Sequence, residues 1–135
     1  MLNLFKDNST QPTRALQIWQ ILIGKAVNRQ TMTYESLADL IGFKGAGTLG
    51  EYLGHILYFC KQNNLPLLTV LVVNKETGLP GKGLEDALPP TVDFHAERER
   101  VFNHKWFDLY PPSPEELKQA YKSLHVPKIT AQLEI

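Results

Sequence analysis

At Leu67 the hydrophobic pattern of this chain changes period. Upstream, apolar residues recur at three- and four-residue spacing; from Leu67 to Val73 they run on with only Thr69 as a polar break. Helical stripes followed by a β-branched, buried-type run predict an α+β fold that is mainly helical, with a small β-sheet. Three helices are expected before the change. Pro12 suits a first helical turn, and Ala15, Leu16, Ile18, Trp19, Leu22, Ile23, Ala26 and Val27 make one broad stripe that ends near Asn28. Thr33 is a candidate N-cap for a short second helix carrying Leu37, Ala38, Leu40 and Ile41, stopped by Gly42. Gly45-Ala46-Gly47 forms a joint, and a third helix follows from Thr48 to Gln62.

Beyond the expected strand at Leu67–Val73, Asn74 to Gly78 is turn chemistry, and Leu79-Pro80-Gly81-Lys82-Gly83 suits a ragged wing or loop. Asp93 is placed to cap a fourth helix through Asn103, on which Glu97-Arg98-Glu99-Arg100 reads as an exposed, mixed-charge face. Ser113-Pro114-Glu115-Glu116 combines an N-cap serine, a proline at the first position and a glutamate at the third, a capping box for a helix to Leu124. Pro127 ends it, and Lys128 to Ile135 alternates like a strand. This order is that of a winged helix-turn-helix core at residues 12–83, with a C-terminal helical extension at 84–135 packed on it in a single domain.

With 43% apolar residues, 135 residues can close a core without disulfides or metals. The single cysteine, Cys60, excludes an intrachain disulfide and any multi-cysteine zinc site. Fourteen Lys and Arg balance fourteen Asp and Glu, so no net field draws the chain to nucleic acid or to an anionic membrane. No export signal and no membrane-length apolar run is visible, which reads as a cytoplasmic protein.

Thr33-Tyr34, Leu37-Ala38, Gly42, Leu53-Gly54, Pro66, Val72-Val73-Asn74 and Gly78 carry a likeness to a known family. In their order and spacing, residues Arg14 to Gly83 resemble the DNA-binding domain of methylguanine-DNA alkyltransferases and of the non-catalytic alkyltransferase-like proteins. The resemblance implies a winged-helix fold, duplex DNA as a partner and Tyr34 as one of a pair of base-flipping residues. It also implies an acceptor cysteine, or an aromatic residue in the alkyltransferase-like members, just before a His-Arg-Val-Val run. That position is Thr69 here, with Val70 and Leu71 where the family has histidine and arginine. Threonine supplies no thiolate, and Val70 cannot activate a nucleophile. The family's helix-borne arginine falls on Thr48 or Glu51, depending on a one-residue gap.

The expectation is therefore a non-enzymatic protein with no cofactor and no metal, binding duplex DNA weakly or taking a DNA-associated regulatory role. Its candidate nucleic-acid contacts are Tyr34, Thr48 and His55 near the groove, with Lys44, Lys75 and Lys82 on phosphates. The alternative is a protein-interaction module or accessory subunit that kept the fold without the groove, joined to a protein partner or a second copy through the extension. His95, Glu97 and His104 offer ligand-type atoms, but their spacing does not gather them on one helical face, and no cysteine pair completes a zinc site.

Overall fold

The computed structural model describes residues 1–7, 10–81, 84, 88 and 93–125. Lys82, the expected wing beyond Gly81 and the alternating tail lie outside the described residues. Among those described, the chain is mainly helical with a two-stranded sheet.

Helix α1 (Gln11–Val27) begins at Thr10, whose hydroxyl accepts the Thr13 amide, and carries Pro12 in its first turn. Its stripe is buried as the spacing requires: Ala15, Ile18, Leu22 and Ala26 are wholly excluded from solvent. Strand β1 (Met32–Thr33) leads directly into α2 (Tyr34–Leu40), capped by the Thr33 hydroxyl accepting from the Ser36 amide at 3.0 Å. Gly42 closes α2 at φ +80°, a conformation that favours glycine. A single 3-10 turn (Ala46–Thr48) then delivers the chain into α3 (Leu49–Gln62).

The run after α3 departs from the expected strand. Leu68–Leu71 is a 3-10 turn, and only Val72–Val73 is extended, forming β2. It pairs in parallel with β1, Met32 opposite Val72 and Thr33 opposite Val73. A uniformly apolar run has no period, so it specifies burial without specifying backbone. Here Leu68, Val70 and Leu71 are enclosed by α1, α3 and the following helix, and the partner strand is only two residues long. After β2, Asn74 folds the turn through its own side chain, which accepts the Glu76 amide at 2.8 Å, and Gly78 sits at φ +69°.

The extension supplies α4 (Phe94–Asn103) and α5 (Pro114–His125). Asp93 caps α4, accepting the His95 amide at 2.9 Å. The capping box of α5 is complete: the Glu116 amide donates to the Ser113 hydroxyl (3.1 Å), and the Ser113 amide to the Glu116 carboxylate (3.0 Å). The mixed-charge run on α4 is the exposed face its composition suggests only in part: Glu99 and Arg100 are exposed, and the other two charges turn inward. Glu97 is buried and accepts the Leu67 amide at 2.7 Å, while Arg98 donates to the Gly78 carbonyl. Glu99 takes a two-pronged contact from Arg29 at 2.8 and 2.9 Å, and that guanidinium lies over the Phe102 ring. Charged side chains here tie α4 to the core because the segments they reach have backbone groups to satisfy.

One buried cluster runs from Ala15 on α1 to Leu117 on α5. At its centre Trp19 meets Phe59 and Trp106 edge-on, at 5.6 and 5.8 Å, and the Trp106 indole donates to the Val101 carbonyl at 2.7 Å. Among the described residues, no helix is long and apolar enough to cross a membrane.

Candidate functional site

The outer face of α3 is where a helix-turn-helix protein would meet a duplex. Its two halves have different fates. The second half is covered at His55, while Lys61 and Gln62 beyond it are exposed. His55 is only 2% exposed; its Nδ1–H donates to the Glu51 carbonyl at 2.7 Å, and its ring stacks on Tyr121 of α5 with centroids 4.2 Å apart and planes 7° from parallel. A carbonyl oxygen accepts only, so this contact places the imidazole proton on Nδ1. Tyr58 also stacks on the same phenol, with centroids 5.7 Å apart. Gly54 makes the approach possible, since a Cβ there would lie 3.0 Å from the Tyr121 ring. His55 is thus withdrawn from the groove-facing place expected for it: α5 stands on that face and its aromatic ring takes the histidine's stacking surface.

The first half of α3 stays open. Gly47, Gly50 and Gly54 floor a trough of about 520 Å³, with Glu51 exposed in it and Tyr52, Tyr58 and Tyr121 on its walls. Glu51 accepts a hydrogen bond from the Gln11 side-chain amide of α1. The Tyr121 hydroxyl is held above the ordinary phenol range, first by burial and then by the Glu51 charge. Thr48 is exposed at the head of α3, forms no side-chain cap, and shares a second open recess with Lys44, Phe43 and Tyr52. Lys75 is exposed on the turn after β2, apart from these recesses.

Tyr34 has a fastening role. Its hydroxyl accepts the Gly81 amide at 2.7 Å, and a Cβ at Gly81 would sit 2.5 Å from that oxygen, so a side chain there would push the phenol aside. The same tyrosine walls a small recess of about 180 Å³ together with Leu53, Leu57, Tyr58, Thr69 and Leu84. Thr69 lies on the 3-10 turn, 6% exposed, and its hydroxyl has no hydrogen-bond partner among the described residues. The structure therefore brings Tyr34 and Thr69 to one recess, and Lys44 and Thr48 to another, while His55 belongs to the α3–α5 packing.

Cys60 offers no nucleophile. It is fully buried, and its thiol is pushed from 9.0 up to about 12, mainly by burial and further by the Glu97 charge, against a backbone hydrogen bond from Leu68. Titration of the native protein with a thiol-specific disulfide reagent at neutral pH is expected to leave Cys60 unmodified until denaturant is added. A stoichiometric reaction of the native chain within minutes would contradict this burial. The sign of the pH effect also follows: a thiol pKa raised by folding helps the native state fully below about pH 9, and that help is lost as pH rises towards 12. Among the described residues, no three His, Cys, Asp or Glu side chains gather to hold a metal ion.

Two residues that shape this site lacked a sequence signal of their own: Tyr121, and Gln11 as the partner of Glu51. Gly54, inside an otherwise apolar helical pattern, is the one hint of a close neighbour. Compared with protein-family models, curated proteins and solved structures, the chain has no match.

Proposed function

We propose that this protein is an interaction module or accessory subunit, non-enzymatic, built on a winged helix-turn-helix framework whose third helix serves protein contacts instead of a DNA groove. The observation that carries this reading is the position of α5. With Tyr121 stacked on His55 and seated against Gly54, His55 at the middle of α3 is closed to bases. The charge pattern supports it too. Glu51 is the only charged side chain among the described residues lining the open half, and it would repel phosphates. The order α1, β1, α2, α3, β2 followed by a turn supports the framework, and the apolar side chains that the extension leaves to solvent, Phe107 at 72% and Tyr110 at 97% exposure, suit a chain that meets other proteins.

A fluorescently labelled duplex titrated at low salt tests the proposal. The expected result is no saturable binding. The competing reading, weak duplex binding through Lys44, Lys75 and Lys82, implies about three neutralised phosphates and a log–log salt slope of roughly −2.7. Saturable binding with such a slope, abolished by Lys44→Glu with Lys75→Glu, would replace the interaction reading by the DNA one.

A further inference from the structure

We infer that the face formed by α1 and the 3-10 turn Trp106–Asp108 is a two-fold interface between copies of this chain, with Phe107 and Tyr110 as its anchors. The inference rests on the interaction-module reading and adds a second contact face to it, whose partner is a second copy of the chain.

A recess of about 430 Å³ lies here, walled by Leu16, Trp19 and Ile23 of α1 and by Phe107, Leu109 and Pro111. Beside it stands a side chain suited to such a space. Leu109 has extended backbone angles, φ −92° and ψ 139°, and successive side chains of extended backbone point to opposite sides. Leu109 and Pro111 line the recess, so Tyr110 between them points away from it, and it is 97% exposed. It covers nothing in its own protomer. The segment that carries it is stiff, because Pro111 and the buried Pro112 follow directly, so fixing Tyr110 in an interface costs little entropy. An anchor and a recess on one face meet the condition for a two-fold pair: each copy gives what the other takes. Charge complementarity points the same way. Lys105 and Asp108 bracket Trp106 and Phe107, both are exposed, and neither has an ion pair among the described residues. A two-fold axis through this turn sets Lys105 of each copy against Asp108 of the other, and the zero net charge of the chain adds no repulsion between copies. The area is of the right size. Phe107 is 72% exposed, and at roughly 150–250 Å² for an aromatic side chain, it and Tyr110 together offer about 300 Å². A standard interface buries about 800 Å² per partner, roughly 60% of it apolar. Two residues therefore supply more than half of the apolar share, and Leu109 with the half-buried Phe5 and Leu16 adds to it around the recess.

The test is light scattering on the full chain as it elutes from a sizing column, at a series of loading concentrations up to the millimolar range. The mass is expected to rise with concentration from 15.3 kDa to twice that value. Tyr110→Ser and Phe107→Ser are each expected to weaken the dimer about tenfold, as truncating an anchoring aromatic does. Both positions are exposed, and an unchanged circular dichroism spectrum and urea midpoint show that the fold is kept. Lys105→Asp and Asp108→Lys are each expected to weaken the dimer about tenfold, since like charges then face each other in both pairs. An equimolar mixture of these two variants is expected to restore it, because every charge then meets its opposite. Only pairing between copies produces that rescue. A mass of 15.3 kDa throughout, a dimer indifferent to Tyr110→Ser and Phe107→Ser, a mass that climbs past the dimer, or a mixture no tighter than its parts would each overturn the inference. A labelled duplex added to the same samples separates the two levels. A monomer that binds no duplex removes only the interface between copies, whereas saturable duplex binding overturns the interaction-module reading, whatever the mass.

Discussion

Glu97→Ala is expected to cost about 3 kcal/mol, read as a lowered urea midpoint, because the substitution removes a charged acceptor and strands a buried donor. The Glu97 carboxylate accepts the Leu67 amide with one oxygen at 2.7 Å and Arg100 with the other at 2.6 Å. Leu67 is buried, so its N–H has no water to turn to once the carboxylate is gone. Arg100 is different: its side chain is 58% exposed and returns to solvent at little cost. The loss therefore concentrates on Leu67, at the entry to the 3-10 turn that carries Thr69 and leads into β2. Glu97→Gln keeps an acceptor for Leu67 and is expected to cost about 1 kcal/mol. Equal losses from the two substitutions would mean that the ion pair with Arg100, and not the amide, is what matters.

The helices were legible because their signals are local. Thr33, Asp93 and the Ser113–Glu116 box cap the helices they were expected to cap, each through a hydrogen bond spanning two or three residues. The stripe on α1 needed only its own period. What failed to show was decided at a distance. Whether Leu67–Val73 extends or coils depends on how long a strand Met32–Thr33 can offer and on enclosure by α1, α3 and α4. The four charges of α4 look like a solvated face in sequence, yet Glu97, Arg98 and Glu99 reach back 30, 20 and 70 residues to their partners. The candidate site divides in the same way. Thr48 and Lys44 are exposed beside the joint, as the local glycines suggest. His55 is covered by a tyrosine 66 residues later, since its helix position says which way it points but not what is packed there. Tyr34 likewise owes its bond with Gly81 to a crossing of chain that no local pattern announces.

Leu117→Ala is expected to lower stability by about 3 kcal/mol and to do so for the whole chain at once. Leu117 is wholly excluded from solvent, Ala120 beside it is 3% exposed, and α5 packs on both α1 and α3. The Gln62 side chain at the end of α3 adds a hydrogen bond to the Ala120 carbonyl at 3.1 Å. These contacts make α5 part of the core and not an arm laid over it. The consequence bears on function: if α5 cannot leave without unfolding the chain, His55 is never offered to a duplex by the native protein. Two probes test this in one urea titration. Tryptophan fluorescence reports the Trp19–Trp106 contact at the centre of the core, and far-UV circular dichroism reports all the helices. In both the wild type and Leu117→Ala the two curves are expected to coincide, with the mutant midpoint lower, as one cooperative transition requires. A detachable α5 would give a different picture. Helical signal would be lost early in Leu117→Ala while the tryptophan transition stayed at its wild-type midpoint, and the His55 ring would become open to solvent in a chain that is otherwise folded. That result would return the face of α3 to candidates for DNA binding, with α5 as its removable cover.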